Sequence, residues 1–191
     1  MSHLLDANAL VALCWPPHEH HQRMGAWFAR HATSGWATCA LTQAAFVRLL
    51  CQPVIAGRPM AMGDVAQLLL RNTAHPSHRY LAAAPELATV LATCTGGLMG
   101  HRQVADAWLL ATAVQHGMKL LSFDRGVPML LATEAERQRH IENPARLTQK
   151  KNFPRRPIRR TTGESGLDCV SPVLFNRLSR CTSTSSTAAT P

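Results

Sequence analysis

The feature that most constrains this chain is a rhythm: up to about Pro144, short apolar runs alternate with longer amphipathic segments, and several of the short runs end at an aspartate. Such alternation is the pattern of strands and helices wound around a parallel sheet, and strand ends are where sheets of this kind place their ligands. The sequence therefore predicts an α/β domain over residues 1–144, with its chemistry at one edge of the sheet.

The run His3-Leu4-Leu5 ends at Asp6 and leads into Ala7-Asn8-Ala9-Leu10-Val11-Ala12-Leu13, a short strand delivering Asp6 to the start of a helix. A second helix is expected from near Pro17 to near Gly35, with Met24, Trp27 and Phe28 on one face. Trp36 to Cys39 reads as a strand and Leu41 to Cys51 as a helix, which puts Gln43 in its first turn. Met62 to Thr73 and Pro85 to Thr95 read as helices flanking a weak strand, Arg79-Tyr80-Leu81. The clearest local signal is a helix from Gln103 to His116 stopped by Gly117, then a strand from Lys119 to Phe123 ending at Asp124.

At 191 residues the chain is long enough for one core with an appendage. Residues 1–144 hold 11 Lys+Arg against 9 Asp+Glu, whereas residues 145–191 hold 9 against 2. The formal charge of +9 is thus mainly a property of the C-terminal stretch, whose Lys150-Lys151, Arg155-Arg156, Arg159-Arg160 and closing Ser-Thr repeats predict a disordered tail. Two readings of that tail stay open: added nonspecific affinity for nucleic acid, or a stretch read in a frame not selected for folding. No run approaches the roughly 18 apolar residues of a membrane span, and the N-terminus lacks the features of a signal peptide, so a cytoplasmic protein is expected. The six cysteines form no CxxC pair and are read as reduced, mostly core residues.

Three aspartates share a placement: Asp6 and Asp124 follow strands, and Asp106 lies near the start of the helix before the last one. If the strands are parallel neighbours, all three reach the same edge, where crowded carboxylates raise one another's pKa unless a cation neutralises them. Hard oxygen ligands suit Mg²⁺ or Mn²⁺, and a cation held by few carboxylates can carry a substrate phosphate beside an activated water. Taken singly, each has a plainer reading, since an aspartate after a strand often only caps a helix and Asp124-Arg125-Gly126 is an ordinary turn sequence.

Four segments together resemble the PIN-domain ribonucleases, specifically the VapC-like toxins of bacterial toxin-antitoxin pairs: residues 4–8 (LLDAN), 35–43 (GWATCALTQ), 100–110 (GHRQVADAWLL) and 121–126 (LSFDRG). The resemblance implies a three-layer α/β/α fold with a short parallel sheet. It also implies a site in which Asp6, Asp106 and Asp124 hold Mg²⁺, with Mn²⁺ as a substitute, for cleavage of tRNA or other structured RNA. An antitoxin partner and a homodimer are likewise implied. Where the family usually has glutamate this chain has Gln43, whose amide can accept a hydrogen bond but cannot take a proton. Losing a positioned acid-base group typically costs about 10² to 10⁴ in rate, so a weakened nuclease and a silent PIN domain that binds antitoxin or RNA are both open.

The remaining features have plainer readings. His18-Glu19-His20-His21 lacks the zinc-protease spacing, because Gln22 stands where the second histidine would be, and is read as an exposed helix start. His101-Arg102 and Arg125 could contact phosphate or simply sit at the surface. Trp15, Trp27, Trp36 and Trp108 are read as core or interface residues. A phosphatase using a nucleophilic aspartate would need a second aspartate two residues after Asp6, where Asn8 stands.

Overall fold

The computed structural model describes residues 1–144. The basic, Ser/Thr-rich stretch at 145–191, with its expected disorder, lies outside the described residues.

Strand β1 (His3–Leu5) leads directly into α1 (Ala7–Cys14), then α2 (His21–His31) returns the chain to β2 (Trp36–Cys39). The helices α3 (Ala40–Leu50), α4 (Pro53–Ala56) and α5 (Met62–Thr73) precede β3 (His78–Leu81). Then come α6 (Leu87–Thr93), α7 (Val104–Gln115), β4 (Lys119–Leu121), α8 (Glu134–His140) and β5 (Ile141–Glu142). The five strands form one sheet in the order β3-β2-β1-β4-β5, and every neighbouring pair is parallel.

Parallel strands covered on both faces are apolar at successive positions, and β1 and β4 behave so. Leu4 and Leu120 pack into a core with Ala107, Leu110 and Val90 from α7 and α6. Leu5 and Leu121 point the other way, into a core with Leu10, Leu13, Trp27, Phe28, Phe46 and Leu69 from α1, α2, α3 and α5. This is the expected three-layer arrangement, and it places Trp27 and Trp36 in the core, both essentially inaccessible. Cys14, Cys39 and Cys94 are buried, and with Cys51 they are free thiols.

The order of the strands locates the site. From β1 the chain winds outward through β2 to β3, then crosses back to lay β4 on the other side of β1. Neighbouring strands whose connections leave on opposite sides open a crevice at their carboxyl ends. Here that crevice lies between the ends of β1 and β4, at Asp6 and at residues 122–124. Gly117, at φ 63°, ends α7 in the left-handed conformation and turns the chain into β4, as the glycine stop predicts.

Some boundaries depart from expectation. Helix α2 starts at His21, not near Pro17, because Pro16 to His20 form successive turns in which His20 N bonds His18 Nδ1. His18, His20 and His21 are half-buried instead of exposed: the His20 ring lies 4.5 Å from Phe123, and His21 Nδ1 pairs with the Ala12 carbonyl at 2.8 Å. Helices α4 and α8 and strand β5 were not anticipated; α8 carries a capping box at Thr133 and Glu136 that the sequence displays. No helix among the described residues is long and apolar enough to cross a membrane.

Candidate active site

Asp6 stands where β1 becomes α1. Its amide bonds the Leu121 carbonyl at 3.0 Å, tying it to β4, and its own carbonyl accepts from Leu10 N at 2.8 Å to start the helix. Oδ1 caps α1 by accepting from Ala7 N at 2.5 Å. Capping is therefore real, but it uses only one oxygen. Oδ2 accepts from Ser122 Oγ at 2.8 Å. Asp6 as a whole is 6 % exposed. Burial raises its pKa, the bonds from Ser122 and Ala7 work against that rise, and the charge of Asp124 adds to it.

Asp124 follows β4 in an exposed turn, where its Oδ1 accepts from Gly126 N at 2.6 Å. The turn reading is thus correct as far as it goes. The Asp124 amide donates to Ser122 Oγ at 3.0 Å, so one hydroxyl links the two aspartate positions. Ser122, buried at 1 % exposure, belongs to the site although the sequence pattern does not single it out. The signal was its place two residues before Asp124, at the end of an apolar run.

Asp106 comes from the first turn of α7, half-buried against the same edge. Its pKa is pushed up to about 6, first by burial and then by the charges of Asp6 and Asp124. The fold thus brings the three carboxylates within electrostatic reach of one another. Among the described residues no three His, Cys, Asp or Glu side chains converge as a ready-made cation cage. Asp6 and Asp106, both hard oxygen donors with raised pKa values, are groups whose ionised form a divalent cation would favour.

Gln43 lies in the first turn of α3, which Thr42 caps by exchanging bonds of 3.0 Å with the Cys39 backbone. Its amide Nε2 donates to Thr38 Oγ1 at 2.9 Å, and Thr38 Oγ1 pairs in turn with His78 Nε2 at 2.8 Å. The structure gives Gln43 a local anchor instead of a bond to any aspartate. His101, Arg102 and Arg125 are exposed, the first two in a 3-10 turn ahead of α7.

Comparison with known proteins agrees with this architecture. The PIN domain family profile matches residues 3–129. Ribonuclease VapC38 of Mycobacterium tuberculosis is 42% identical over 124 residues, covering 65% of this chain and 86% of its relative. Ribonuclease VapC44 of the same organism is 33% identical over 138 residues, covering 72% and 96%. Among solved structures, a chain from the FitAB complex bound to an IR36 DNA fragment superposes with a TM-score of 0.52 at 21% identity, covering 78% of this chain and 99% of that one. With a parallel sheet, an acidic edge and these relatives in agreement, the chain belongs to the PIN-domain family, among the VapC-like ribonucleases.

Proposed function

We propose that this chain is a Mg²⁺-dependent endoribonuclease, the toxin of a toxin-antitoxin pair, which hydrolyses phosphodiester bonds in tRNA or other structured RNA. The observation that carries the proposal is the placing of Asp106 on the same sheet edge as Asp6 and Asp124: burial first, and then the charges of those two aspartates, push its pKa up to about 6. Carboxylates gathered from three elements at a switch point serve a cation better than they serve the fold.

In this reading Asp6, Asp106 and Asp124 hold Mg²⁺, with Mn²⁺ able to replace it. The bound ion supplies an activated water and a Lewis acid for the phosphate. The chain's own residues set the geometry. Asp6 is fixed by two hydrogen bonds, so it can orient without searching rotamers. Asp106, titrating near 6, has given its proton to solvent over most of the population at neutral pH, so its carboxylate would be available to a cation. Gln43 offers an amide oxygen to a water but no base, so proton removal falls on the carboxylates and solvent.

An antitoxin partner fits the naming of the VapC relatives, and a homodimer fits the exposed Leu87 and Leu91 on one face of α6. The test is Mg²⁺-dependent cleavage of a total tRNA pool by the full chain, with Asp6→Ala and EDTA as controls. Cleavage abolished by both supports the proposal. No cleavage by folded protein that still binds Mg²⁺ replaces it with a silent PIN domain that binds antitoxin or RNA.

A further inference from the structure

The anchor of Gln43 is longer than one bond. His78, the first residue of β3, is half-buried, with its ring centroid 4.5 Å from that of Trp36. One ring nitrogen, Nε2, is engaged by Thr38 Oγ1 at 2.8 Å, and the ring also hydrogen-bonds the Thr73 backbone carbonyl at the end of α5. With Nε2 taken, the nitrogen left for that carbonyl is Nδ1. A carbonyl only accepts, so Nδ1 carries the proton, and in the neutral ring Nε2 is then an acceptor. Thr38 must donate its single hydroxyl proton to Nε2. Its oxygen remains free to accept, and the Gln43 amide donates to it at 2.9 Å. Each bond thus dictates the direction of the next, from α5 through β3 and β2 to α3.

We infer that Thr38 and His78 are positioning residues: the Thr73–His78–Thr38 chain holds the Gln43 side chain by its nitrogen and so leaves its amide oxygen as the end that this chain does not engage. The oxygen is the end suited to the water shell of a cation, whereas the amide hydrogens would compete with that cation for the carboxylates. The inference rests on the proposed cation site for its purpose, but the direction of the chain stands on the hydrogen bonds alone. Burial favours the neutral ring. Besides Trp36 and Thr38, the group facing the His78 ring is His75, whose charge also disfavours protonation. No carboxylate contributes to its titration, so the neutral ring persists at neutral pH.

A glutamate at position 43 would need the opposite direction. A carboxylate accepts, so Thr38 would donate to it, and Thr38 could accept only from a protonated Nε2. The experiment reads the ring nitrogens of His78 by ¹⁵N NMR in the metal-free full chain. Expected is a protonated Nδ1 and bare Nε2 in the native chain, with Nε2 protonated in Gln43→Glu. An identical pattern in both overturns the coupling. The positioning role is read by Mn²⁺ titration of folded variants: Thr38→Val lowers affinity roughly 10-fold, as loss of an outer-shell partner typically does, and Thr38→Ser restores it. Native affinity in Thr38→Val overturns that role. If the native chain binds no Mn²⁺, the cation site itself fails while the ¹⁵N pattern still decides the direction of the chain.

Discussion

Ser122 Oγ donates to Asp6 Oδ2 at 2.8 Å while accepting the Asp124 amide at 3.0 Å, so a single buried hydroxyl joins the ends of β1 and β4. Without it Asp6 would face its burial with only the Ala7 amide for support.

Ser122→Ala removes that donor from a buried carboxylate. Hydrogen bonds to charged groups contribute about 1.5–3 kcal/mol, so a loss of that order is expected in chemical denaturation of the metal-free protein at pH 7–8. Because the Ser122 bond lowers the Asp6 pKa, its loss lets that pKa rise further. Mn²⁺ affinity should therefore fall more steeply with falling pH than in the native chain. A native denaturation midpoint would show that water replaces the hydroxyl at no cost.

Asp106 links the site to pH. Its folded pKa of about 6 exceeds the ordinary value of 3.8, so the metal-free folded state holds this proton more tightly than the unfolded chain does. Its contribution to stability is then lost as pH rises from about 4 to about 6, and the penalty persists above. His18, His75, His78 and His140 have lowered pKa values and act in the opposite direction over part of this window. The comparison that isolates Asp106 is native protein against Asp106→Asn. The variant should gain relative stability as pH rises through 4 to 6 without metal, and saturating Mg²⁺ should erase the gain. Parallel stability curves would mean that Asp106 is no more crowded than a surface carboxylate.

The strands and most helices were legible because burial on both faces writes itself as apolar runs, and Asp6, Asp106 and Asp124 were legible because they punctuate those runs. Ser122 was not, since a serine at a strand end carries no signal until Asp6 and the Asp124 amide are brought to it by the pairing of β1 with β4. His78 and Thr38 were hidden for the same reason: their meeting depends on the β2–β3 register, which local periodicity does not encode. The turn before α2 escaped notice because the apolar spacing at Met24, Trp27 and Phe28 locates a helix face and not its first residue. Strand β5, only two residues long, is recognisable by what it docks against.

Gln43→Glu tests whether the amide limits catalysis. A positioned acid-base group typically contributes 10²- to 10⁴-fold, so RNA cleavage should rise by roughly 10²-fold if the carboxylate reaches the water. Initial rates on one RNA at saturating Mg²⁺ provide the measurement. An unchanged rate would place the limiting step elsewhere and leave Gln43 as a residue of orientation only.

On the far side of β4, Glu142 anchors β5. Its Oε2 pairs with His3 Nε2 at 2.8 Å and its Oε1 accepts from Trp27 Nε1 at 2.6 Å, joining β5, β1 and α2. The His3 bond, with help from Trp27 and from the positive character of His3 and His31, brings the Glu142 pKa down to about 2 against its burial. A depressed carboxylate pKa stabilises the fold above its ordinary value of 4.5, and that contribution is lost as pH falls toward 2. Glu142→Gln keeps the shape and one acceptor but not the charge, so a loss of roughly 1.5–3 kcal/mol is expected at pH 7. Between pH 4.5 and pH 2.5 the gap between native and variant protein should narrow, because acid neutralises the native carboxylate while the amide has no charge to lose. Followed by circular dichroism during denaturation, a constant gap would mean that packing of Trp27 and His3, whose rings meet edge-on with centroids 4.9 Å apart, holds β5 without the charge.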